Sequence, residues 1–261
     1  MAAVDPAADA AFLGWVRALE RRHLSDLRLG DVRRGLQALS REYVERRGAG
    51  GSARPRAILD GRGKRAAFAL FYGPLHYLVV HHVVGELGLA SHTLGRIVDL
   101  GCGSGAAGAA WAVRMPSPSA RIIGVDASAW AVAEARWTWR FWGLAGTARA
   151  SDLRTLSLPG RGAGILAAWV VNELEPAVRD ELLERLVAAA SAGAAILVVE
   201  PIARRVAPWW ERWASAFVRA GGRADEWRLP VTLPEPLSRL DRAAGLDHRS
   251  LAARSLCLCR A

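Results

Sequence analysis

Val98-Asp99-Leu100-Gly101-Cys102-Gly103-Ser104-Gly105 is the stretch whose reading decides the fold. Residues 97–100 (IVDL) suit a strand buried on both faces. The three glycines that follow let the backbone turn sharply and approach a ligand with no Cβ in the way. An alanine-rich stretch, residues 105–114, then reads as a helix. Strand, glycine turn and helix in that order open a βαβ unit, and a ligand of such a unit lies beyond the carboxyl ends of its strands.

Outward from this turn, further apolar runs at residues 122–125 (IIGV), 165–171 (ILAAWVV) and 195–199 (AILVV) read as buried strands. Helical stretches at 128–142 and 176–191 separate them, and alternation of this kind argues for a parallel, doubly wound α/β sheet. Residues 203–221 and 235–245 read as helices, and 250–260 alternates enough to be a last strand. Upstream, the first ninety residues read as helices. Phe12, Trp15, Val16 and Leu19 fall on one face, as do Val32, Leu36, Leu39 and Tyr43, with Asp31 placed to cap. Residues 48–52 (GAGGS) mark a break, residues 64–87 a second helical block divided at Gly73-Pro74, and Gly88 a stop. The expected organisation is a helical N-terminal cap, residues 1–92, and an α/β domain, residues 93–261.

The chain has 261 residues, 52% hydrophobic and 23% charged, so it is neither disordered nor collagen-like. Its three cysteines exclude a disulfide scaffold, and their spacing gives no metal-ligand set, so a reducing, cytoplasmic setting is expected. A net charge of +10 is compatible with a polyanion, yet the arginines are scattered. The start carries two aspartates and no early basic residue, unlike a signal or transit peptide. The apolar stretch 66–90 contains His76, His81, His82, Glu86 and Pro74, too polar for a membrane span, and no membrane partner is expected.

Three acids end the first three strands: Asp99, Asp126 and Asp152. A carboxylate at the second strand's tip, followed by Ala127, suits hydrogen bonds to ribose hydroxyls. With the glycines, this pattern points to a nucleoside-containing cofactor. Residues 103–108 (GSGAAG) match the dinucleotide pattern GxGxxG. Asp99, however, would repel a pyrophosphate at the turn and would suit an ammonium or sulfonium. S-adenosylmethionine fits those electrostatics.

At these residues the chain resembles the class I S-adenosylmethionine-dependent methyltransferases. VDLGCGSG is similar to the family's first motif, GVD to its second, SDL to its third and WVVNELEP to its fourth, over about residues 95–200. The resemblance implies a Rossmann-like methyltransferase sheet. It also implies that Gly101, Gly103 and Gly105 lie along the methionine moiety, with Asp99 near its amino group. Asp126 would hold the ribose, Asp152 and Leu153 would flank the adenine, and Asn172 would lie near the sulfonium. A looser resemblance, to the ribosomal small-subunit methyltransferase-like family, rests on YGPLHY, NEL and VVEP; that family's cysteine cluster is absent.

Glu173 is the carboxylate placed to act as base towards an acceptor, or to cap the next helix. No N-P-P-Y signature of amino-directed nucleic-acid enzymes follows the fourth strand. Tyr72, His76 and Tyr77 could reach over the cofactor or belong to the core. Glu200-Pro201 could shape the pocket rim. Of eleven tryptophans, Trp137, Trp139 and Trp142 are expected to pack on the sheet, while Trp209, Trp210 and Trp213 could wall an acceptor site. The expected activity is methyl transfer to O or N of a small, aromatic or hydrophobic molecule. The alternatives are an RNA- or ribosome-directed methyltransferase, with Arg154, Arg161, Arg204 and Arg205 ringing an open cleft, and a non-catalytic cofactor-binding assembly factor. No metal is expected.

Overall fold

The computed structural model describes residues 6, 9–46, 59–116, 120–202 and 208–259, without the side chains of 42–46. The expected break at 48–52, the side chain of Tyr43, and Arg204 and Arg205 lie outside the described residues.

Helix α1 (Ala10–His23) begins where the Asp9 carboxylate accepts from the N–H groups of Ala11 and Phe12, two donors that the first turn cannot satisfy internally. Its buried face is Phe12, Trp15, Val16, Ala18 and Leu19, as the 3.6-residue spacing requires. Helix α2 (Leu29–Arg46) starts two residues before Asp31. That carboxylate therefore sits within the first turn and reaches back to the Arg28 N–H at 3.0 Å, instead of standing ahead of the helix as its cap.

The second helical block is not divided at Gly73-Pro74. Helix α3 (Arg62–Ala67), a π-helical turn (Phe68–Tyr72) and α4 (Gly73–Glu86) run on as one helical stretch. Pro74 has no N–H to offer the preceding turn, and the wider hydrogen-bonding pattern just upstream accommodates the missing donor without a break. By length and composition the stretch Arg62–Glu86 could cross a membrane despite its histidines, but 78% of its most apolar window is buried inside the protein. Gly88, at φ 67°, ends it in the left-handed conformation expected of it.

Strand β1 (Arg96–Leu100) leads through the glycine turn into α5 (Ala106–Arg114). Strand β2 (Arg121–Asp126), α6 (Ala129–Phe141) and β3 (Gly146–Ala150) follow. Next come β4 (Ala163–Ala168), α7 (Pro176–Ser191) and β5 (Ala195–Glu200), then α8 (Trp210–Arg219), β6 (Arg223–Pro230), α9 (Glu235–Ala243) and β7 (Ser250–Leu258). Among the described residues the strands form one sheet in the order β3-β2-β1-β4-β5-β7-β6. The first five are mutually parallel, and β7 runs antiparallel to β5. The reversal of order at β1 and β4 makes a topological switch point beside the glycine turn, the place where such sheets bind ligands. This is the doubly wound fold expected. Two departures stand out: β4 stops at Ala168, three residues short of the apolar run, and β6 is a strand although its charges (RADEWRLP) break the apolar pattern.

The chain divides into two compact units, Met1–Val79 with Arg228–Ala252, and Val80–Trp227 with Ala253–Ala261. In the first, Tyr77 packs between Phe12 and Trp15, both 5.5 Å away. Gly35 lets α2 meet α3 closely, since a Cβ there would lie 2.3 Å from the Gly63 carbonyl oxygen. In the second, Val98, Leu100, Ile165, Ile196 and Val198 bury one sheet face against Leu182 and Leu186 of α7 and Trp213 and Phe217 of α8.

Candidate active site

The glycine turn is fixed from beneath. Gly101, Gly103 and Gly105 have φ of 65°, 51° and 76°, a left-handed conformation that a side chain makes costly. A Cβ on Gly105 would lie 2.7 Å from the Ala135 Cα, and one on Gly101 would lie 2.4 Å from Val170 Cγ2. The Gly105 carbonyl accepts from the indole N–H of Trp139 at 2.9 Å. Trp139 lies against two strand glycines: a Cβ on Gly124 or Gly146 would fall 2.6 or 2.5 Å from its ring. Glycine inside a strand marks a close approach of this kind. Trp139 thus packs on the sheet as expected, and it also holds the turn.

Asp126 joins the second strand tip to this turn. One carboxylate oxygen accepts from the Gly103 N–H at 2.9 Å and the other from the Ser128 N–H at 2.8 Å. Burial raises its pKa above the ordinary carboxyl value, against the pull of those two donors. Each oxygen keeps capacity for a further donor. Asp99 is 1% exposed, and it accepts from the Gly108 N–H in the first turn of α5 at 3.1 Å. Burial pushes its pKa up to about 7; the Gly108 donor opposes this and the neighbouring Asp126 charge adds to it. Cys102 is buried, and its thiol pKa is raised by burial and then by both carboxylates.

The turn after β4 carries a second network. Trp169 adopts φ 54°, and its N–H donates to the Val199 carbonyl at 2.8 Å. A bulky residue held in this region costs about 1–3 kcal/mol and is characteristic of functional sites. The 3-10 turn Val171–Glu173 follows. Glu200, at the end of β5, accepts from the Val171 N–H at 2.8 Å and from the Asn172 side-chain amide at 2.7 Å. Asn172 in turn accepts from the Trp209 indole at 2.8 Å. Burial raises the Glu200 pKa to about 8, opposed by the Val171 and Asn172 donors and by Arg254. The Arg254 guanidinium lies 3.9 Å over the Trp210 ring.

The structure therefore brings Asp99, Gly101, Gly103, Gly105 and Asp126 together, and ties Asn172 into an adjoining cluster. Ala127 is exposed beside Asp126, and Glu173 is half-buried in its turn. Asp152 lies on the third loop, where it caps a short turn and holds Arg154 at 2.8 Å, an exposed pair that lowers its pKa. Leu153 packs partly against the core. Trp209, Trp210 and Trp213 are buried within the core of the second unit. Tyr72, His76 and Tyr77 belong to the first unit, where Tyr77 is buried and Tyr72 and His76 are half-buried beside Phe68. Desolvation lowers the His76 pKa to about 3. Glu200 and Trp169 are the site residues whose roles sequence reasoning missed: one was read only as rim, the other as mid-strand. Among the described residues no metal-ligand cluster is present.

A sequence family described as "Methyltransferase domain" matches residues 97–193. No curated protein matches the chain. Among solved structures, a candidate O-methyltransferase from Nostoc punctiforme PCC 73102 superposes with a TM-score of 0.56 at 17% identity, covering 90% of this chain and 73% of its own. The plantazolicin methyltransferase BpumL, solved with a monoazolic desmethylPZN analog and SAH, superposes with a TM-score of 0.52 at 14% identity, covering 89% of this chain and 98% of its own. At such identities these likenesses concern the fold alone, which is the Rossmann-like methyltransferase sheet. The matched region contains the glycine turn, Asp99 and Asp126, where S-adenosylmethionine is the expected cofactor. The residues fit it: a buried and a half-buried carboxylate at a glycine turn suit a cationic ligand with a vicinal diol and disfavour a pyrophosphate.

Proposed function

We propose that the chain transfers a methyl group from S-adenosylmethionine to an O or N atom of a small, aromatic or hydrophobic acceptor. The observation that carries the cofactor half of this reading is the Asp126 carboxylate, joined to the glycine turn through Gly103 and still able to accept two hydroxyl donors. In this reading Asp99 offers a carboxylate towards the cofactor's amino group through the turn it supports. Gly101, Gly103 and Gly105 line the methionine end, and Ala127, Asp152 and Leu153 flank the nucleoside. Bound S-adenosylmethionine supplies an electrophilic methyl on a sulfonium. The chain's own part is to align an acceptor for in-line displacement and to receive its proton.

Glu173 is the residue we assign to receive that proton, from its position in the turn directly after Asn172. Asn172 has both ends of its amide engaged, so its part is to fix this turn. Trp209 and Trp210 would act on the acceptor from behind, by shaping the wall. A cytoplasmic setting suits such an enzyme.

Calorimetry with S-adenosylhomocysteine tests the cofactor half. Asp126→Ala should weaken binding by roughly 1.5–3 kcal/mol for each charge-assisted hydrogen bond lost. Unchanged affinity would remove the ribose role. Glu173→Gln should lower turnover and leave cofactor affinity alone, whereas a rate equal to that of the parent returns Glu173 to a capping role. Salt-sensitive retention of RNA together with methylation of RNA in place of small acceptors would favour the ribosome-directed reading. Cofactor binding with no turnover on any acceptor would favour an assembly factor.

A further inference from the structure

The end of β7 carries a second cluster of reactive groups, within the unit that holds the methyltransferase domain. Cys259 Sγ lies 3.2 Å from His92 Nε2 and 3.7 Å from Nδ1. The pair faces a recess of about 250 Å³ lined by Leu87, His92, Gly221, Gly222, Arg223, Cys257 and Cys259. The two glycines leave that wall without side chains. Gly222 is pressed on the last strand so closely that a Cβ there would lie 2.3 Å from the Cys257 carbonyl oxygen. At the mouth, the Arg223 guanidinium is held by Asp225 through bonds of 2.8 and 2.6 Å, with N–H donors to spare. Cys259 is half-buried, whereas Cys102 and Cys257 are buried.

We propose that Cys259 and His92 form a thiol-modification site that takes up a low-molecular-weight disulfide carrying carboxylates. A nucleophilic side chain within hydrogen-bond reach of an imidazole is the arrangement that activates a thiol at the moment of attack. The Cys259 S–H proton passes to the facing His92 nitrogen. Sγ bonds to one sulfur of the incoming disulfide, whose S–S bond breaks, and its electron pair leaves on the other sulfur. That thiolate recovers the proton from His92, so one thiol and one disulfide are consumed and one of each is formed. The Arg223 guanidinium would receive a carboxylate of the incoming molecule. Burial raises both the Cys257 and the Cys259 thiol pKa, so the resting thiol is neutral and the base is required. This inference is independent of the methyl-transfer reading.

Oxidised glutathione is the probe. Incubation of the folded protein should give one glutathionyl adduct on Cys259, located by peptide mass spectrometry, and Cys259→Ser should give none. His92→Ala should slow adduct formation about a hundredfold, the scale of general-base assistance, and free imidazole should restore part of the rate. No adduct on the folded protein, equal labelling of Cys102 or Cys257, an unchanged rate in His92→Ala, or slowing that imidazole does not relieve would each overturn the proposal.

Discussion

A side chain at Gly105 would meet two obstacles at once. The glycine's φ of 76° and the 2.7 Å approach of a would-be Cβ to the Ala135 backbone act together, because neither the turn nor α6 can yield without moving the other. Gly105→Ala is expected to destabilise the chain by about 2 kcal/mol or more, read from urea unfolding midpoints, and to abolish S-adenosylhomocysteine binding in the folded remainder. The importance of this glycine was legible in the sequence from its context, a glycine turn between a strand and a helix followed by a second strand that ends in an acid. Trp139 was legible only as a core residue. Its indole bond to the Gly105 carbonyl spans 34 positions and depends on two strand glycines, Gly124 and Gly146, leaving room for its ring. The signal existed in those glycines, but nothing local says which aromatic fills the space.

The segment between β4 and α7 shows how an element can depart from its own pattern. Residues 165–171 are apolar throughout, so periodicity gives no reason to end the strand early. The strand ends because Trp169 turns to φ 54° and the Val171 N–H goes to the Glu200 carboxylate, a group 29 residues away. The network continues through Asn172 to Trp209, which ties α8 to the turn. Trp209→Phe keeps an aromatic ring, though a smaller one, and removes the N–H, leaving the half-buried Asn172 oxygen short of a donor. It is expected to cost about 1–3 kcal/mol in thermal or chemical unfolding and to lower turnover more than cofactor affinity. Trp213→Ala, which empties a fully buried site stacked on Phe217, should cost about 3–5 kcal/mol by the same measurement.

At the scale of the whole molecule, Asp99 and Glu200 give stability a pH dependence. Burial holds both carboxyls above their ordinary range, to about 7 and about 8, so from the ordinary carboxyl range upward the folded chain binds more protons at these two sites than the unfolded one. Their contribution to the slope of unfolding free energy with pH is therefore negative across that window, opposed below the ordinary histidine value by His76, whose pKa burial lowers to about 3. The expected outcome is a loss on the order of a few kcal/mol between pH 5 and pH 9, seen as a lower melting temperature and flattened in Asp99→Asn and Glu200→Gln. Saturating S-adenosylhomocysteine should raise the melting temperature, since a ligand of the folded state stabilises it by mass action. By itself the sequence determined the alternation of strand and helix, the place of the glycine turn and the acids at the strand tips, because these follow from short-range periodicity and local backbone geometry. Only the tertiary structure decided which carboxylates are buried, where β4 ends, that charged β6 joins the sheet, and which tryptophan meets which oxygen. Desolvation and close packing are set by groups distant in sequence, and no window along the chain contains both partners.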